Sequence, residues 1–172
     1  MSASEGAASR RRVVVIGAGA AGTMAAIFAA AGGAATTLLE RTADVVRGAE
    51  IAARQLGAKL VVFGVEHNKP DAIAALERAV ASVAAVTAVT AANTAAAGGD
   101  RPEMRVVGLA VKYPQGAEKM LIRAVWGEEV PSGKLPLDLG IVVNNVATMA
   151  AIADWFDLRR PLVERLVTVA GP

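Results

Sequence analysis

The stretch Val13 to Glu40 constrains this chain more than any other, because the rest of the chain must pack beside the strand–turn–helix it encodes. Val13-Val14-Val15-Ile16 are four β-branched residues in a row, the composition of a strand buried on both faces. Gly17-Ala18-Gly19-Ala20-Ala21-Gly22 comes next. In that spacing Gly17 permits a tight turn, Gly19 lets backbone approach a pyrophosphate, and Gly22 lets a helix sit close to the strand. The N–H groups of that helix would face the phosphates. A second apolar run, Thr36-Thr37-Leu38-Leu39, ends in Glu40, 18 residues after Gly22, where a carboxylate can accept from ribose hydroxyls. The expectation is a nucleotide-binding unit. The bland alternative is an Ala/Gly-rich strand and helix that bind nothing.

Arg10-Arg11-Arg12 before an uncharged stretch also raises membrane insertion or a twin-arginine export signal. Alanine and glycine dominate that stretch, so its transfer into lipid is poor. Hydrophobic residues make up 54% of the 172, with much alanine among them, which predicts a fine-grained, helix-rich core of one domain. A net charge of +2 and 3% aromatic content give nucleic acid neither an electrostatic footprint nor a stacking platform. No cysteine is present, so no cysteine-ligated iron–sulfur cluster can form within the chain. The one histidine, His67, offers no imidazole cluster for a metal.

Residues 1–10 are small and polar and read as a disordered tail, with 11–172 as a single α/β domain. Ala43 to Leu56 carries Val46, Ala49, Ala53 and Leu56 at helical spacing, and Gly57 closes it. Leu60 to Val65 is a buried strand. Pro70 and Asp71 open a helix striped by Ile73, Leu76, Val80 and Val83. Residues 84–104 are an Ala/Thr-rich insertion, a helical extension running into a loop. Arg105 to Val111 is the next strand, and a helix starts with Glu118 in its first turn and stops at Gly127. Ile141-Val142-Val143 is a strand, and Asn145 can cap a helix whose inward face is Val146, Met149, Ile152 and Phe156. Pro161 breaks it, and Leu166 to Val169 is a last strand. The alternation predicts a mostly parallel, doubly wound (Rossmann-like) sheet of about six strands with helices on both faces.

Two resemblances sharpen this. Residues 12–41 are similar to the opening βαβ unit of FAD-dependent oxidoreductases. Glu66-His67-Asn68-Lys69-Pro70-Asp71-Ala72-Ile73, the block Tyr113 to Ile122, Gly140 to Thr148, and Pro161 to Val169 resemble the C subunit of the Rnf electron-transport complex. That protein is similar to the NADH-oxidising, FMN-carrying subunit of respiratory complex I. The second resemblance covers 43–83 and 105–172, in the family's order. It implies that Tyr113, Gly116 and Glu118 lie where flavin and nicotinamide are received, and that Asn145 and Thr148 lie at the cap that contacts FMN. Read without the family, Glu118 is a first-turn acid favoured by the helix dipole and Asn145 an ordinary N-cap. His67 stands where the family has an acid and reads as a surface loop residue. Asn68 and Lys69 could orient the loop or reach a phosphate.

The sequence also departs from that family. Its Gly/Arg-rich flavin-phosphate loop is expected upstream of Ala43, where the dinucleotide-type unit stands instead, and the family continues beyond Pro172 into a β domain and a cysteine-rich domain. The chain therefore reads as a fragment or a recombined form joined near Arg41. The resemblance implies an FMN- and NADH-binding domain of an Rnf-type oxidoreductase, passing hydride from NADH to FMN. It also implies iron–sulfur-bearing partner subunits, and a cytoplasmic place, peripheral to the plasma membrane. The alternatives are an FAD/NAD(P)-binding module of a flavoprotein and a non-catalytic assembly subunit. No metal site is expected.

Overall fold

A computed structural model describes residues 13–17, 40–93, 101–111 and 118–163. Among them the elements run β1 (Val13–Gly17), α1 (Thr42–Leu56), β2 (Leu60–Glu66), α2 (Pro70–Asn93), β3 (Glu103–Leu109) and α3 (Glu118–Trp126). A 3-10 turn (Pro136–Leu139), β4 (Ile141–Asn145) and α4 (Val146–Leu158) complete the order. The strands form one parallel sheet in the order β3-β2-β1-β4, with β1 paired to both β2 and β4. The expected strands at 36–39 and 166–169 lie outside the described residues.

The sheet separates two apolar clusters. Val61, Phe63 and Val65 of β2 pack with Val45, Val46, Ala49 and Ala53 of α1, Leu76 of α2, and Met149 and Ala150 of α4. Leu60 packs instead with Leu121 and Ile122 of α3, Leu109 of β3 and Ile141 of β4. Alternation along β2 explains the division, since successive side chains point to opposite faces. Helical layers therefore cover both faces of a parallel sheet, as a sheet of this kind requires.

Gly48 sets the spacing of α1 on α4. A Cβ built there would stand 1.8 Å from the carbonyl oxygen of Met149. Ion pairs hold the same two helices: Arg41 to Asp154 at 2.6 Å and Arg47 to Asp157 at 3.1 Å. Hydrogen bonding from Arg47 holds the Asp157 carboxyl below its ordinary range. The buried Glu50 of α1 faces Arg101, whose Nε is 2.9 Å from Oε1. That oxygen receives no aligned hydrogen bond, so the contact is ionic in character.

Several sequence expectations shift in the fold. The third strand occupies Glu103–Leu109 rather than 105–111, because β2 offers partners only from Leu60 to Glu66. The fourth extends to Asn145 because β1 pairs with it through Gly17. On α4, Phe156 is 44% exposed and Ile152 only partly buried, while Ala150 and Ala153 are buried. The close approach at Gly48 selects small inward residues over the aromatic ring. Glu40, expected at a strand end, has helical backbone and is exposed.

Candidate functional site

Parallel strands deliver all their C-terminal ends to one edge, and the chain's order along the sheet reverses at β1. In open α/β sheets ligands bind outside the carboxyl ends of the strands at such a reversal. Gly17 ends β1 there, level with Gly64 of β2 on one side and Asn145 of β4 on the other. Two predicted site residues from distant parts of the sequence are therefore neighbours. The first turn of α3 joins them: a Cβ on Gly64 would stand 2.9 Å from Leu109 Cδ1 and 3.0 Å from Leu121 Cδ1, so glycine lets both side chains sit close on this end of the sheet. Glu118 begins that turn, exposed.

Asn145 closes β4 and caps α4. Its Oδ1 accepts from the Ala147 backbone N–H at 2.8 Å, with the extended backbone of an N-cap. The ordinary capping role is thus present, and it uses only the oxygen. The amide nitrogen, on an exposed side chain, keeps its donors. Thr148, half-buried in the first turn of α4, adds a hydroxyl next to backbone N–H groups that no helical carbonyl can satisfy. The Asn145 amide, the Thr148 hydroxyl and these N–H groups belong to one helix N-terminus, a donor set that suits a ligand rich in acceptors, such as the polar edge of a flavin. Gly19, Gly22, Tyr113 and Gly116 lie outside the described residues.

Beyond the ladder with β1, the buried Glu66 ends β2. Lys69 Nζ lies 2.6 Å from Glu66 Oε2, and the Lys69 backbone N–H donates to the Glu66 carbonyl at 3.0 Å. Lys69 thus orients the β2–α2 loop, and its cation stabilises a carboxylate that burial would otherwise disfavour. The only signal of this pair in the chain is the i, i+3 spacing of opposite charges. His67 is exposed, as expected of a loop residue, but its ring is seated. A Cβ on Gly108 would come within 2.3 Å of His67 Cε1, and the His67 N–H donates to the Leu109 carbonyl at 2.9 Å. Among the described residues no group of three or more His, Cys, Asp or Glu side chains is arranged to hold a metal ion.

The chain is 40% identical over 134 residues to the C subunit of the proton-translocating ferredoxin:NAD(+) oxidoreductase complex of Clostridium ljungdahlii, covering 78% of this chain and 25% of that protein. It is 42% identical over 127 residues to the C subunit of the Na(+)-translocating ferredoxin:NAD(+) oxidoreductase complex of Acetobacterium woodii, covering 74% and 25%. The C subunit of the ion-translocating oxidoreductase complex of Pseudomonas aeruginosa is 40% identical over 132 residues, covering 77% and 15%. The chain thus spans a quarter or less of the length of these curated relatives. Its fold is that of a segment of an NAD+-reducing [NiFe]-hydrogenase in the air-oxidised state, at TM-score 0.62 and 19% identity over 86% of this chain and 24% of that one. The H2-reduced form matches at TM-score 0.58 and 22% identity, covering 84% and 24%. The resemblance to the Rnf protein drawn from the motifs is thereby established. Residues 33–154 match the family described as the Nuo51 FMN-binding domain, and the chain belongs to that family.

Proposed function

We propose that this chain binds FMN at the C-terminal edge of its sheet and serves as the flavin domain of a longer, Rnf-type electron-transfer oxidoreductase. The observation that carries the reading is the placement of Asn145, with a free amide donor, beside Gly17 at the reversal of strand order, within the segment matching the Nuo51 FMN-binding domain. The order β3-β2-β1-β4 with helical layers on both faces supports a doubly wound, Rossmann-like classification.

FMN, when bound, accepts a hydride from a nicotinamide and returns the electrons singly. Asn145 and Thr148 orient the flavin by donating to its polar edge, and the α4 N-terminus favours partial negative charge there. The Glu66–Lys69 pair keeps the buried charge at this edge neutral, so an approaching anion meets no uncompensated carboxylate from it. Tyr113, Gly116 and Glu118 receive flavin and nicotinamide in this reading, with NADH as the donor. This stretch holds no cysteine, so in this reading electrons leave it for iron–sulfur clusters carried elsewhere in the complex, on partner subunits among them. No described helix is long and apolar enough to cross a membrane, and we place the protein at the inner face of the plasma membrane through those partners.

A second reading draws on β1, which is central in the sheet and ends on Gly17 as a dinucleotide glycine loop requires. In it Gly17, Gly19 and Gly22 carry the pyrophosphate of FAD or NAD(P), and Glu40 the ribose. Titration of the purified chain with FMN and with FAD, followed by NADH and ferricyanide, separates the readings. Micromolar FMN binding with NADH-dependent ferricyanide reduction supports the first, and preference for FAD the second. Binding of neither makes the chain a non-catalytic assembly subunit.

A further inference from the structure

The outward side of α4 and the segment after it are apolar where a solvated surface should be polar. Trp155, Phe156 and Leu158 are 48%, 44% and 63% exposed, and Leu162 and Val163, just beyond the helix in the chain, are 57% and 79% exposed. The inward side of α4 is already filled by Val146, Met149, Ala150 and Ala153, so the core has no room for these side chains. The helix contains only two charged residues, and both are engaged. Asp154 is held by Arg41 and Asp157 by Arg47. A helix that is apolar on all sides belongs in an interior.

Two cations stand at the end of this patch. Arg159 and Arg160 are exposed, and among the described residues no ion pair forms at either guanidinium. Arg159 is also the one non-glycine residue with positive φ among the described residues, at 57°. The Arg159 N–H donates to the Trp155 carbonyl at 3.1 Å and the Arg160 N–H to the Asp154 carbonyl at 3.2 Å, so the helix closes in a left-handed cap. Glycine is the usual residue at that position, and α1 uses it, closing on Gly57 at φ 62°. An arginine in a conformation that L residues rarely adopt is the local outlier, and it stands at the cationic end of the exposed apolar run.

We infer that this face docks a protein partner that presents an apolar surface edged by carboxylates. The two arginines give the charge complementarity and the five apolar side chains the buried centre. A second copy of this chain fits worse, because a two-fold contact would bring the arginines together while both aspartates of α4 are already occupied. A lipid surface also fits worse. Interfacial membrane helices carry a cationic polar face, whereas Val146–Leu158 has no basic residue and exposes the Asp157 carboxylate within the patch.

Docking at this face does not depend on the flavin site and is tested separately from it. Benzoylphenylalanine is placed at Trp155, and at exposed Arg78 of α2 as control, in the full chain within the cells that make it. After irradiation, adducts are identified by mass spectrometry. The expected result is one defined protein adduct from position 155, absent from 78, mapping to an apolar site with neighbouring acids. It should fall about tenfold when Arg159→Glu and Arg160→Glu are added. The single change Arg159→Gly should weaken the adduct while leaving thermal stability equal or higher, which separates docking from folding. Equal labelling at 155 and 78, an adduct of the chain with itself, or indifference to the charge reversals would overturn the inference. So would flotation of the purified chain with phosphatidylglycerol vesicles that is lost in the double variant.

Discussion

Gly17 and Asn145 stand level with one another in adjacent parallel strands, although 128 positions separate them along the chain. The pairing places a residue without a side chain next to a capped helix N-terminus whose cap residue, Asn145, is exposed. The proposed flavin site is built on that relationship.

Asn145 is capable of two roles, and substitution separates them. Asn145→Asp keeps an oxygen for the Ala147 N–H but loses the amide donors, so stability should hold while FMN affinity falls. Asn145→Ala should lose both, with about 1 kcal/mol of stability gone with the cap. Thermal unfolding together with FMN titration checks the pair. Unchanged affinity in both variants would return Asn145 to capping alone.

Gly48 should tolerate no side chain. Its Cβ would overlap the Met149 carbonyl, which belongs to helix backbone and cannot move aside cheaply. Gly48→Ala is expected to cost about 3 kcal/mol, at the upper end of overpacking, because α1 must lift from α4. A lower urea midpoint at constant slope is the expected readout.

Lys69→Met should destabilise the chain by about 3 kcal/mol, since it strands the buried Glu66 carboxylate. Adding Glu66→Gln should restore most of the loss. If Lys69→Met alone were neutral in denaturant unfolding, the pair would be shown to leave Glu66 adequately solvated.

Arg47 lowers the folded-state pKa of Asp157, so this contact adds stability above the unfolded carboxylate pKa and loses it as pH falls through the depressed folded value. The stability difference between the protein and Asp157→Asn should therefore be level near neutrality and shrink under acid. Because Asp157 is well exposed, salt should shrink it too. Unfolding curves at several pH values and two ionic strengths measure this.

Local pattern was enough for much of the architecture. The glycine stop of α1, the proline opening of α2, the helix at Glu118 and the cap at Asn145 arise from short-range propensity and periodicity and appear as expected, while the α1 stripe buries Val46, Ala49 and Ala53 but leaves Leu56 43% exposed. The motifs around Glu66, Tyr113 and Gly140 also sufficed to reach the family. These features depend on a few neighbouring residues, and that is why sequence alone determined them. Only the tertiary structure decided which strands lie side by side, and hence that Gly17 meets Asn145. It also trimmed β3 to the span that β2 can pair, and turned Phe156 outward because the helix contact at Gly48 admits only small residues beside Met149. Lys69 could have reached a ligand or a neighbour. The burial of Glu66 settled that, since a desolvated carboxylate takes the nearest cation, and desolvation is a property of the packed fold.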